Sequence, residues 1–109
     1  MKLVAVKHDD GNIWGWKFWC PGCKCTHRFR TEKIAGDGRP SWNFDGNIES
    51  PTFTPSLRYF TPEDKEHGIA AHTDCHLFVT KGEIVYCADN PHEFNNKKIP
   101  MQDIPEGWF

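Results

Sequence analysis

The stretch WCPGCKCTHRF, residues 19–29, places three cysteines and a histidine within eleven positions. A C-x-x-C thiolate pair in a tight turn can bite one tetrahedral divalent ion. Pro21 preshapes such a turn, and Gly22 is expected to take an unusual backbone angle within it. Redox C-x-x-C pairs instead open a helix beside a βαβ unit, and no such pattern surrounds these residues. The remaining rival is a disulfide. The chain has five cysteines, an odd number. The apolar run in MKLVAVKHDD is too short for a signal-peptide core. No stretch approaches the roughly 20 apolar residues of a membrane span. The expected setting is therefore soluble and cytoplasmic, where reducing conditions favour metal over a disulfide framework, and the metal expected on this spacing is Zn²⁺.

The rest of the chain reads as strands and turns. KLVAVK (2–7) is a short strand, and IWGWKFWC alternates Trp14, Trp16, Phe18 and Cys20 against Ile13, Lys17 and Trp19. Gly15 interrupts that strand where another backbone is expected to approach closely. THRFRTE returns from the CPGC turn, so the two strands form half of a zinc ribbon. SWNFDGN is a short strand and turn. SPTFTPS carries Pro51 and Pro55 and is expected to be an extended edge. TPEDKEHG is a charged loop or one helical turn. CHLFVTKGEIVYC is the clearest hairpin, turning at Lys81–Gly82. In NPHEFNN, Asn90 is expected to cap a turn of helix with Pro91 in its first position. IPMQDIPEGWF is an extended tail whose Trp108 and Phe109 are available for docking. With 109 residues, one domain is expected, spanning residues 1–109. Its fold class is all-β or β-dominated, with a zinc-ribbon-like hairpin packed on an antiparallel sheet. A domain of this size gains from a metal staple.

Two further ligands are needed for the ion. Cys25 lies two residues past Cys23, a poor bite for the same ion. His27 can reach back from the returning strand. Cys75 and His76 are adjacent on the best-defined strand, so their side chains point to opposite faces. Cys75 is therefore assigned to the metal and His76 elsewhere. The expected set is Cys20, Cys23, His27 and Cys75, with His76 and His92 as rivals for the open places. Cys25 and Cys87 are read as small packing residues.

The segments FWCPGCKCTH, WNFDGNIESPTFTPSL, DCHLFV with the following KG and IVY, and Asp89-x-x-His92 together resemble a family of small phage and bacterial proteins. Members often carry the label "ammonia monooxygenase", and the family includes the BubE component of bacterial ubiquitin-like operons. The resemblance implies a zinc-binding β-rich domain and a peptidase-like activity on ubiquitin-like proteins; for a phage-encoded member the setting is the bacterial host cytoplasm. The positions it carries over are Cys20, Cys23, His27, Pro55, Ser56, Cys75 and His76. Lys24 departs from the glycine usual in the family. Asn90 departs from a cysteine frequent in phage relatives, which weighs against a metal site around residues 89–92. The monooxygenase label fits neither the zinc-type donors nor the lack of a membrane span.

Pro55 holds the backbone before Ser56. A serine-type hydrolase follows if Ser56 meets His76 as base and Asp89 orients the imidazole. Zinc hydrolysis with Glu83 or Glu93 as base lacks an H-E-x-x-H helix. A Cys25 nucleophile beside Lys24, His27, Arg28 and Arg30 is a third option. The non-catalytic alternative is a zinc-stapled protein-interaction module of phage or phage-defence origin, presenting Trp14, Trp16 and Trp42. Either way the expected partner or substrate is a protein, and the resemblance implies a ubiquitin-like one. Thirteen Lys and Arg against fifteen Asp and Glu give a net charge of −2, which argues against nucleic acid.

Overall fold

A computed structural model describes residues 1–61, 63–68 and 72–108. Among the described residues, two antiparallel sheets contain every strand. The first holds β1 (Val4–Lys7), β2 (Ile13–Cys20) and β3 (Cys25–Arg30) in that order. The second holds β4 (Asn43–Phe44), β5 (Phe53–Thr61), β6 (His72–Thr80), β7 (Glu83–Tyr86) and β8 (Lys98–Pro100), also in chain order. Among the described residues there is no helix, so the expected turn of helix over 90–96 is corrected to irregular turns. The expected docking of Phe109, and Pro62 within TPEDKEHG, lie outside the described residues.

Alternation decides what each strand buries. Phe18 and Cys20 of β2, His27 and Phe29 of β3, Phe53 and Leu57 of β5, Cys75, Leu77 and Val79 of β6, and Ile84 and Tyr86 of β7 are all buried. These inner faces meet in one core, with Phe29 and Phe53 rings 4.0 Å apart and Phe18 and Phe53 rings 5.9 Å apart. Lys81 (φ 49°) and Gly82 (φ 77°) make the left-handed pair that closes the β6–β7 hairpin. Trp108 rests edge-on against Trp19 at 5.3 Å.

The SPTFTPS stretch is not an edge. β5 lies inside its sheet, between β4 and β6. Its pairing with β6 passes from Phe53↔Val79 straight to Leu57↔Leu77. Pro55 falls within that irregularity, where its missing N–H costs the ladder nothing. A proline thus marks an edge or a bulge, and here it marks the bulge.

Gly15 sits in the middle of its sheet, opposite Val6 and Arg30. A Cβ there would collide with the Phe29 carbonyl, so the close approach expected from the sequence is present. Arg30 is buried, and its guanidinium is paired with Asp37 and lies 3.6 Å from Glu32. That hydrogen bond holds the Asp37 carboxyl below its ordinary value. A depressed carboxyl pKa stabilises the fold above the unfolded value, and the contribution is lost as pH falls through the folded one.

Two stability measurements test this frame. Gly15→Ala should cost about 2 kcal/mol or more in denaturant melts, because backbone has to move. Asp37→Asn should lower the melting temperature at pH 7, and the gap to the parent should close as the pH drops below about 3.9, where free Asp titrates. An equal gap at acid pH would remove the ion pair as its cause.

Candidate functional site

β6 presents two different chemistries on its two faces. Cys75 points inward, where its Sγ lies 3.8 Å from Cys20 Sγ and 3.5 Å from His92 Nε2. Cys23 completes a group of four donor atoms all within 4.8 Å of one another. Such a group can hold a metal ion. The sequence set of Cys20, Cys23, His27 and Cys75 thus differs at one place: the structure gathers three of those residues with His92.

The reason is local. The CPGC turn closes through Lys24 N–H donating to Cys20 O at 2.8 Å and Cys23 N–H pointing at Cys20 Sγ at 3.4 Å. Gly22 does not take the unusual angle expected of it; Lys24 does, with φ 55°. The absent side chain at Gly22 instead makes room, since a Cβ there would meet the His92 ring at 2.5 Å. Pro91 and His92 therefore fold directly over the turn. His27 is held otherwise. Its ring stacks on Tyr59 at 3.9 Å and lies against Cys20, and its Nε2 is buried without a hydrogen-bond partner.

The three sulfurs interact strongly. Hydrogen bonds from Cys23 and Cys75 hold the Cys20 thiol far below its usual range. The same bond pushes Cys23 up to about 12, and bonds to Cys20 and Cys23 push Cys75 far up. The Tyr86 hydroxyl lies 3.1 Å from Cys20 Sγ. An ion would draw all three to thiolates. Phe94 N–H lies 3.2 Å from His92 Nδ1, which leaves Nε2 as the nitrogen turned toward Cys75. An ion held by Nε2 would require the ring proton to sit on Nδ1, in place of that contact.

The outer face of β6 carries His76. Its Nε2 lies 3.2 Å from Ser56 Oγ, and its Nδ1 lies 3.2 Å and 3.3 Å from the two Asp89 oxygens. Ser56, His76 and Asp89, named from three separate stretches, thus form one hydrogen-bonded chain. The β6 register sets Arg58 opposite His76, so Ser56, two residues before Arg58, reaches the same face diagonally from the irregular part of β5. Arg58 Nη2 lies 3.5 Å from Asp89 Oδ2.

Two residues that hold this chain in place carry no sequence signal for doing so. Asn90, buried, accepts from His76 N–H at 2.8 Å and donates to His76 O and Cys87 O at 2.8 Å each. It is a clamp on the His76 peptide and not a helix cap. Trp42 Nε1–H donates to Ser56 O at 3.1 Å. Cys25 lines a cavity of about 320 Å³ with Gly22, Cys23, His27, Pro91 and His92. Glu83 lies on the β7–β8 side, 4.0 Å from Lys98 Nζ.

Fold and site together define a small all-β domain with a serine–histidine–aspartate chain on one sheet face and a Cys₃His cluster on the other. The family model described as "Bacterial ubiquitination-like system serine protease (BubE)" matches residues 1–87. The chain belongs to that family. The matched span includes Ser56 and His76 and ends just before Asp89 and His92. No curated protein matches the chain, and neither does any solved structure. Among the described residues no helix is long and apolar enough to cross a membrane.

The two histidines beside the cluster can be told apart by metal content. His92→Ala should lower bound divalent metal per chain and destabilise the fold by about 3 kcal/mol or more. His27→Ala should leave the stoichiometry unchanged. Elemental analysis of both purified variants decides, and metal loss on removing His27 alone would reverse the assignment.

Proposed function

We propose that this protein is a serine-type peptidase of a bacterial ubiquitination-like system, acting on a ubiquitin-like protein or on its conjugates. The observation that carries the reading is the Ser56–His76–Asp89 chain, with contacts of 3.2–3.3 Å in a member of a family described as serine proteases.

The roles follow from the donors. Asp89 accepts from His76 Nδ1–H, which leaves the Nε2 lone pair facing Ser56 Oγ. His76 takes the Ser56 proton as the oxygen attacks a peptide or isopeptide carbonyl, then returns it to the leaving amine. A water activated by the same nitrogen hydrolyses the acyl-serine. The clamps from Asn90 and Trp42 fix the main chain on both sides of this proton transfer, so the reacting atoms need little reorganisation. Asp89 is half exposed and shared with Arg58, so its part is to orient the imidazole.

The inner cluster is read as a structural zinc site. Zinc with sulfur at about 2.3 Å and nitrogen at about 2.0–2.1 Å, in a tetrahedron, sets S···S near 3.8 Å and S···N near 3.6 Å. The Cys20–Cys75 and Cys75–His92 separations of 3.8 Å and 3.5 Å fit those spacings. Four protein donors leave no open position for substrate or water, so zinc hydrolysis with Glu83 or Glu93 is set aside. Zinc would hold Cys20 of one sheet to Cys75 of the other, and thereby fix the position of the neighbouring His76.

A fluorophosphonate probe tests the catalytic reading. It should label Ser56, and His76→Ala should slow labelling and cleavage of a ubiquitin-like fusion by about a thousandfold or more. Asp89→Asn should slow both, by less. Equal labelling with and without His76 would end the serine reading, and tight binding of ubiquitin-like protein without cleavage would favour an interaction module.

A further inference from the structure

The outer face of β6 holds a second group of metal-competent donors. One residue beyond the Leu77↔Tyr86 pair, Cys87 N–H donates to His76 O at 3.0 Å. Cys87 is therefore the cross-strand neighbour of His76, on the same face. Its Sγ, a His76 ring nitrogen and an Asp89 carboxylate oxygen all lie within 4.8 Å of one another. His76 and Asp89 are 24% and 49% exposed at the side chain, so an ion from solvent can reach them. The inner cluster lies on the opposite face of the strand.

We propose that His76, Cys87 and Asp89 form a second, regulatory binding site for a thiophilic divalent cation such as Zn²⁺ or Cd²⁺, whose occupancy disables His76 as a base. An imidazole, a thiolate and a carboxylate are the mixed donor set such ions take, with solvent completing a tetrahedron. Both Asp89 oxygens face Nδ1, so Nδ1 is the nitrogen an ion between these groups occupies. On binding, Cys87 gives its thiol proton to solvent. The ring proton leaves Nδ1 for Nε2. Nε2 then donates to Ser56 Oγ and has no lone pair to accept the serine proton. The site is thus inhibitory by tautomer and does not need to block access. Arg58, 3.5 Å from Asp89 Oδ2, is the cation an incoming ion must displace.

The inhibitory consequence rests on the serine reading above, and the ion site does not. The experiment uses protein already carrying its inner ion. Cd²⁺ is titrated while the thiolate–cadmium ultraviolet band is followed, and fluorophosphonate labelling of Ser56 is measured with and without Zn²⁺. The parent should take up one further Cd²⁺, and Zn²⁺ should slow labelling about a thousandfold, as loss of His76 does, reversibly with chelator. Cys87→Ser should keep the inner ion and the basal labelling but lose both effects. Arg58→Ala should tighten the site by about two- to fivefold, the value of one exposed ion pair. No additional equivalent in the parent, or equal inhibition in Cys87→Ser, overturns the proposal. A Cys87-dependent equivalent in a protein that never reacts with the probe upholds the ion site and fails the serine reading instead.

Discussion

Successive residues on a strand face opposite ways, and at Cys75–His76 that rule governs the molecule. Cys75 turns into the contact between the two sheets, where Cys20 and Cys23 of the first sheet's hairpin meet it. His76 turns out to meet Ser56 and Asp89. One peptide therefore links the cluster that joins the sheets to the chain of groups proposed to do chemistry. A slip of one residue in β6 would exchange the two faces and destroy both arrangements.

The loop from Cys87 to Asn96 serves both faces. Asp89 reaches the outer side, His92 reaches over Gly22 to the inner side, and Asn90 between them grips the His76 peptide on its N–H and its carbonyl. Asn90 takes up the His76 N–H, and it adds a second donor to the His76 and Cys87 carbonyls, which already accept from the Cys87 and Asn96 N–H groups. The family match stops where this loop begins. The loop supplies the third member of the serine chain and the histidine of the cluster, so the matched strands hold each arrangement only in part.

Where an observation follows from near neighbours in the chain, the residues announced it. The alternation in IWGWKFWC, the left-handed Lys81–Gly82 turn, the close approach at Gly15 and the C-x-x-C bite are all local. The departures share one physical origin. Pro55 signals a missing N–H, which an edge and a bulge accommodate equally, and only the β4 and β6 neighbours choose the bulge. Gly22 signals a freedom that serves either an unusual φ or a close contact, and the contact with His92 is seventy residues away in the chain. Asn90 before a proline looks like a cap, yet its side chain is taken by β6.

By itself, the sequence determined the all-β class, the metal-competent CPGC hairpin and the donors worth watching, because strand period, turn chemistry and thiol spacing are written over a few residues. Tertiary structure alone decided that His92 stands with the sulfurs while His27 stacks on Tyr59. It alone brought Ser56, His76 and Asp89 within hydrogen-bonding distance of one another, and set Cys87 beside them. Those outcomes depend on strand register and on how one loop folds across two sheets, and packing between residues far apart in the chain sets both.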